Sequence, residues 1–187
     1  MEQHEIENYI EEFKKKHLEN IQTLMLNQGG LVPLIAVLCY DTDVNEPMVM
    51  MVPIMTEEFK EEDKQKVVSM IIPSLFKEMK ERHKKPICFS FSSEAWLRKM
   101  DISHKPESEK KDVPENWRDL PKVEGLITTF ETADYSELHC STMNRIGKQI
   151  NDDGELVDQI LLEKFDTGQG SSSKVEGKFA DIFKRYG

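Results

Sequence analysis

The segment LVPLIAVLCYDTDVNEPMVMMVPIM, residues 31–55, holds two apolar runs on either side of a polar stretch. Each run has the length of one strand, and the residues between them, DTDVNEP, are rich in turn formers. The segment therefore predicts a hairpin of two buried antiparallel strands. Pro33 and Pro53 cannot donate a ladder hydrogen bond, so we expect both prolines at strand ends or on an edge of the sheet.

An amphipathic helix precedes this hairpin. Apolar or aromatic side chains recur every three or four residues over residues 4–27, with Glu and Lys between them: Ile6, Ile10, Phe13, His17, Ile21 and Leu24. This spacing is typical of a helix with one buried face. Gly29 and Gly30 follow, and glycine readily adopts the left-handed conformation that ends helices.

A second helix is predicted after the hairpin, from Thr56 as its N-cap to about Lys84. Glu57 and Glu58 fall in its first turn, where the helix dipole favours negative charge. Its inward side chains are expected to be Val67, Val68, Met70, Ile71, Ile72, Leu75, Phe76 and Met79. Pro73 lies inside this helix and predicts a kink or a break near residues 69–72.

The next stretch, FSFSSEAWLRK at residues 89–99, alternates like a strand with two different faces. One face carries Phe89, Phe91, Ala95 and Leu97, and we expect it in the core. The other face carries Ser90, Ser92, Glu94, Trp96 and Arg98. In an antiparallel sheet one face commonly meets water, so we expect this second set in solvent.

The rest of the chain predicts a long loop, three more strands and a tail. Residues 100–122 are charged, rich in proline and without periodicity, which is typical of a loop. Three strands follow from Val123, although residues 156–165 also fit a helix. Residues 167–173 are expected to form a flexible linker, and residues 174–187 an amphipathic helix with Val175, Phe179, Ile182, Phe183 and Tyr186 on one face.

This order of elements predicts one α+β domain over residues 1–166. Its mostly antiparallel sheet would have about five or six strands and would be packed by the N-terminal and central helices. The linker and the C-terminal helix would be appendages to this domain.

Composition narrows the class of protein. Charged residues make up 32% of the 187 residues and the formal net charge is −10, which disfavours a nucleic-acid-binding face because phosphates need clustered Lys and Arg. The apolar runs are too short to span a bilayer, so no membrane association is expected. Cys39, Cys88 and Cys140 are isolated and expected to be buried, and the N-terminus has no apolar signal segment. We therefore expect a cytoplasmic protein.

Three residues are candidates for chemistry. Glu94 and His139 fall on the same predicted strand face and could form a proton-transfer couple, with Arg98 holding an anionic group of a substrate. A solvent-exposed Glu and a structural His explain the same residues without function. The chain has no His or Cys pair at metal-ligand spacing and no phosphate-binding loop, so no metal and no cofactor is predicted.

A different set of residues is predicted to bind a partner. Trp96 and Arg98 are close together, and both residue types are enriched at the centres of protein interfaces. Phe179 and Phe183, with the linker before them, resemble a tethered helix that binds in a groove of a partner. The same helix could instead dock on its own domain or on a second copy of the chain.

A short motif also carries a resemblance. The hydrophobic hairpin, the strand ending in SEAW (Ser93 to Trp96), the charged loop and the segment LPKVEGLITTFETAD together resemble small uncharacterised proteins of phages and prophages, over roughly residues 31–146. In that family a strand begins near a Glu such as Glu124. The resemblance implies a phage setting and no activity.

Two hypotheses follow. The first is a non-enzymatic protein-binding or assembly protein, encoded by a phage, that acts through the Trp96 face and the C-terminal helix. The alternative is a small hydrolase or transferase that uses Glu94 and His139 with Arg98.

Overall fold

The computed structural model describes residues 3–55, 61–98, 119–164 and 182–186. Four α-helices, one π-helical turn and six strands occupy these ranges. In chain order they are α1 (Gln3–Gln28), β1 (Leu34–Asp41), β2 (Glu46–Pro53), α2 (Glu61–Lys66), the π-helical turn (Val67–Ile71), α3 (Ile72–Glu81), β3 (Lys84–Arg98), β4 (Lys122–Glu131), β5 (Ser136–Ile150), β6 (Leu156–Lys164) and α4 (Ile182–Tyr186).

The six strands form one antiparallel sheet in the order β2-β1-β3-β4-β5-β6. Helix α1 packs on one face, which we call the α1 face. The π-helical turn, α3 and α4 pack on the opposite face, which we call the α3 face. The predicted α+β class and the antiparallel sheet are confirmed.

Helix α1 ends where the two glycines predict. Gly29 has a φ of +70°, and its N–H donates to the Met25 carbonyl at 2.9 Å. A Cβ atom on Gly29 would lie 2.5 Å from the backbone nitrogen of Asp158 in β6. Glycine is therefore needed here both for the left-handed conformation and for the close approach of the helix end to the sheet.

The hairpin is confirmed, but only one of its strands is buried as predicted. Strand β1 lies between β2 and β3 and is buried along most of its length. Strand β2 is an edge strand whose residues alternate between exposed and half-buried. Pro33 directly precedes β1 and Pro53 is the last residue of β2, so both prolines lie where no ladder bond is lost.

The break in the central helix is also confirmed. The π-helical turn runs up to α3, in which Pro73 occupies the first turn, and the Ile72 N–H donates to the Val67 carbonyl. A π-turn inserts an extra residue and shifts the helical phase. For this reason Met70, which was predicted to point inward, is exposed. The predicted N-cap Thr56 with Glu57 and Glu58 lies outside the described residues.

Strand β3 corrects the prediction of a solvent-exposed face. Phe89 and Phe91 are buried on the α3 face, as expected. Ser90 and Ser92 are also completely buried, because they lie beneath α1. The expectation that they meet solvent was wrong, since helices cover both faces of this part of the sheet.

Strands β4, β5 and β6 are confirmed, and the region that also fitted a helix is a strand. Between β5 and β6 the chain turns at Gly154, which has a φ of +80° and donates to the Asn151 carbonyl at 3.0 Å. Most of the predicted loop over residues 100–122 and the whole predicted linker over residues 167–173 lie outside the described residues.

Candidate functional site

Glu94 lies on the α1 face of β3, immediately beyond the end of α1. Its Oε1 accepts a hydrogen bond of 2.7 Å from the Leu31 N–H, and its Oε2 lies 3.4 Å from Nη2 of Arg145. A carboxylate that accepts from a backbone N–H fixes the segment to which that N–H belongs. Glu94 therefore ties the connection between α1 and β1 to the centre of the sheet.

Arg145 is the centre of a group that we call the Arg145 cluster, which comprises Arg145, Glu94, Glu124, Asp158 and Lys148. Its Nε donates to Glu124 at 2.9 Å, and its Nη1 donates to Asp158 and to the Gly29 carbonyl, both at 2.8 Å. Lys148 lies 2.5 Å from the other oxygen of Asp158. The cluster joins β3, β4, β5 and β6 to the end of α1.

The charges of the Arg145 cluster reinforce one another. Partial burial would lower the pKa of Arg145, but Glu124, Glu94 and Asp158 outweigh it and hold this pKa above its ordinary value. Hydrogen bonding to Lys148, assisted by Arg145, lowers the pKa of Asp158. Opposite charges therefore hold the geometry of the cluster around Arg145 and Asp158.

Trp96 stands beside this cluster. It pairs across the sheet with Glu124, and 65% of its surface is exposed. Arg98, two residues further on the same face, donates through Nη1 to the Leu120 carbonyl at 2.5 Å. Two of the predicted binding residues thus share one face, with Trp96 directed to solvent and Arg98 bonded to the chain that leads into β4.

His139 has a different set of partners. Its Nε2 lies 2.6 Å from Oε1 of Glu137, whose other oxygen lies 2.5 Å from Nζ of Lys14 in α1. The ring also contacts Phe130 edge-on, with centroids 5.5 Å apart. Burial would raise the pKa of Glu137, but Lys14 and then His139 outweigh it and lower this pKa. These groups fasten α1 to β5.

The structure does not bring Glu94 and His139 together. Both lie on the α1 face, as strict alternation predicts. The residue of β5 that aligns with Glu94, through Leu126 of β4, is Ser141 rather than His139. Glu94 bonds to Leu31 and Arg145, and His139 bonds to Glu137, so the expected proton-transfer couple is absent between these described side chains.

A buried polar network under α1 was not singled out from the sequence. His17 Nε2 lies 3.1 Å from Oγ of Ser92, which in turn lies 3.0 Å from Oγ1 of Thr128. The only sequence signal was a histidine at an apolar position of the α1 repeat. All three residues are buried, so the pair of Ser92 and His17 has no access to a substrate.

The cysteines are not arranged as nucleophiles. Burial raises the pKa of Cys39 to about 11 and that of Cys88 to about 12, and it also raises the pKa of Cys140. A thiol with such a pKa is almost entirely protonated at neutral pH and is a poor nucleophile.

The C-terminal helix contacts its own domain. Ile182 is completely buried in the core cluster of the α3 face. The Tyr186 hydroxyl donates to the Val68 carbonyl at 3.0 Å, and its ring lies 6.4 Å from that of Phe76. Of the three alternatives, a partner, a second copy or its own domain, α4 therefore docks on its own domain. Phe179 and the Phe183 side chain lie outside the described part of the chain.

Neither a metal site nor a membrane helix is found in the described ranges. No three His, Cys, Asp or Glu side chains among the described residues are grouped to hold a metal ion. No helix there is both long and apolar enough to cross a bilayer. No family model, no curated protein and no solved structure matches this chain.

Proposed function

We propose that this chain is a non-enzymatic protein-binding or assembly protein whose contact surface centres on Trp96. The observation that carries this proposal is the 65% exposure of a tryptophan on a central strand of the sheet. A large exposed indole on a regular strand offers contact area with little loss of conformational entropy, which is why tryptophan is enriched among the dominant residues of interfaces.

The neighbours of Trp96 support this role. Glu124 is held by Arg145, and Arg98 is held by the Leu120 carbonyl, so the polar groups around the indole have fixed positions. A fixed polar rim around an apolar anchor is the usual anatomy of an interface. The partner would bury the indole and contact these groups at its edge.

The alternative, a small hydrolase or transferase, has less support. It needs Glu94 and His139 close together and an Arg98 guanidinium available to an anionic group. Glu94 instead bonds to Leu31 and Arg145, while Arg98 bonds to Leu120.

The setting of this function rests on the resemblance alone. If the chain is encoded by a phage or prophage, its partner is a phage or bacterial protein and both meet in the cytoplasm of the host cell. A second copy of the chain is the other partner that the proposal allows.

Trp96→Ala is expected to reduce capture of a partner at least about tenfold, because truncating a dominant interface residue costs about 2 kcal/mol or more. The measurement is quantitative mass spectrometry of proteins retained from a bacterial extract by the immobilised full chain, with self-association followed by light scattering. Leu156→Ala is the matched control, since Leu156 is 70% exposed but lies on the edge strand β6. Binding that both variants retain equally would contradict the proposal.

A further inference from the structure

The interface between α1 and the sheet is built around a buried histidine. His17 is 3% exposed, and its ring stacks on Phe13 with centroids 5.5 Å apart and meets the edge of Phe130 at 5.7 Å. Its Nε2 bonds to the hydroxyl of Ser92. The imidazole thus lies among two aromatic rings and a hydroxyl. None of these three groups carries a negative charge.

The ionisable groups that line this interface have other partners. Lys14 of α1 is paired with Glu137 of β5, and Glu94 of β3 is paired with Arg145. Strand β4 contributes Phe130, whose ring meets His17, and Thr128, which bonds to Ser92, and neither side chain titrates. The titratable side chains that face this interface from α1, β3 and β5, together with the residue that precedes β5, are Tyr9, Lys14, Cys88, Glu94, Tyr135, Glu137 and His139.

A second buried polar atom weakens the same interface. Ser90 lies two residues before Ser92 on the α1 face, and its Oγ has no hydrogen-bond partner among the described residues. A buried polar group without a partner costs free energy relative to the opened state, in which water solvates it. The contact between α1 and the sheet therefore contains groups that gain solvation when the helix lifts.

We propose that His17 is an acid-sensitive latch, which holds α1 on the sheet at neutral pH and releases it when the imidazole takes up a proton. The neutral ring fits the closed interface, because the interface offers it one hydroxyl partner and two aromatic neighbours. The imidazolium does not fit, because its charge would be desolvated without a bonded carboxylate. Opening of α1 returns that charge to water.

The direction of the pH dependence follows from proton linkage. Burial lowers the pKa of His17 from 6.5 to about 4, so the opened helix binds a proton at a higher pH than the closed one does. The latch is therefore intact above pH 6.5 and weakens as the pH falls towards 4. These two pKa values make opening about 20-fold more favourable at pH 5 than at pH 7.

Release of α1 would change the surface of the protein. The side chains that α1 covers at its N-terminal half are apolar, and they belong to β1, β3 and β4: Ala36, Leu38, Cys88 and Phe130. An acid environment would therefore expose a hydrophobic sheet face that is hidden at neutral pH. This inference concerns the α1 face and does not rest on the proposed role of Trp96.

Hydrogen exchange of the α1 backbone amides tests the latch in the full chain. Opening constants are compared at pH 7 and pH 5 after correction for the intrinsic pH dependence of exchange. The wild type is expected to show an increase of about 20-fold. His17→Gln keeps a hydrogen-bonding group near Ser92 but cannot titrate, so its increase should be much smaller. His83→Gln, at an exposed position between α3 and β3 and away from α1, should behave like the wild type.

An equal increase in the wild type and in His17→Gln would overturn the latch. Should His17→Gln fail to fold, an NMR titration of the His17 ring in the wild type decides the question. A midpoint near pH 4 in the folded protein supports the latch. A midpoint near 6.5 with α1 amides still protected would overturn it.

Discussion

Phe91→Ala is expected to destabilise the protein by about 3–5 kcal/mol, the range for emptying an aromatic core site. Phe91 lies at the centre of the sheet on β3 and is 2% exposed. It belongs to the core cluster that joins β1 and β3 to α3, together with Ile35 and Phe76. Loss of its ring leaves a cavity that neighbours on three elements would have to fill.

Trp96→Ala is the matched control for this variant, because it removes a larger aromatic ring from the same strand. Trp96 is exposed, so its truncation is expected to change the free energy of unfolding by less than about 1 kcal/mol. Urea denaturation of both variants measures the contrast. Similar losses for the two variants would contradict the placement of these rings on opposite faces of β3.

Ile182→Ala is expected to cost about 2–5 kcal/mol, although it changes a helix of only five described residues. Ile182 is completely buried against the α3 face, where the core cluster also contains Val67 and Met79. Because a helix this short is not stable by itself in water, its order depends on this docking. The melting temperature should fall, by roughly 2–4 °C for each kcal/mol lost.

Docking on the same chain also predicts how this loss depends on protein concentration. The fall in melting temperature should be the same in dilute and concentrated samples, because no second molecule takes part. Arg185→Ala, at an exposed position of the same helix, is expected to change stability little. A melting temperature of Ile182→Ala that depends on concentration would indicate exchange of α4 between copies instead.

Most helices and strands could be predicted from local patterns. The repeat of Ile10, Phe13 and Ile21 defines α1 because a helix returns to the same face every three or four residues. Pro73 located the π-helical turn because a missing N–H interrupts the helical hydrogen bonds. Strand β6 could be predicted only ambiguously, since Leu156, Ile160 and Leu161 fit a short helix as well as a strand.

The environment of β3 could not be predicted in the same way. Alternation of Phe and Ser describes a strand with one face in water, and it describes equally well a strand whose serines lie beneath a helix. Ser92 is buried because it contacts His17 of α1, which is 75 residues away in the chain. The residues near Ser92 in the sequence therefore do not predict this contact.

The Arg145 cluster depended on strand register. Its carboxylates come from β3, β4 and β6, and they meet Arg145 only because β5 pairs with β4 and β6 in one register. That register shifts between Arg145 and Gly147, where β5 contains an irregularity. Such a shift moves side chains between faces and is not evident from composition. Trp96 could be placed on its face because alternation alone determines it.

The most direct test of the proposed contact surface is photo-crosslinking at position 96 of the full chain in bacterial cells. Trp96→p-benzoyl-phenylalanine keeps an aromatic side chain at the proposed centre of the surface, and Leu156→p-benzoyl-phenylalanine places the same group at an exposed position of β6. The proposal predicts discrete crosslinked products, to another protein or to a second copy, from position 96 and not from position 156. Equal products from both positions, or none from position 96, would contradict it.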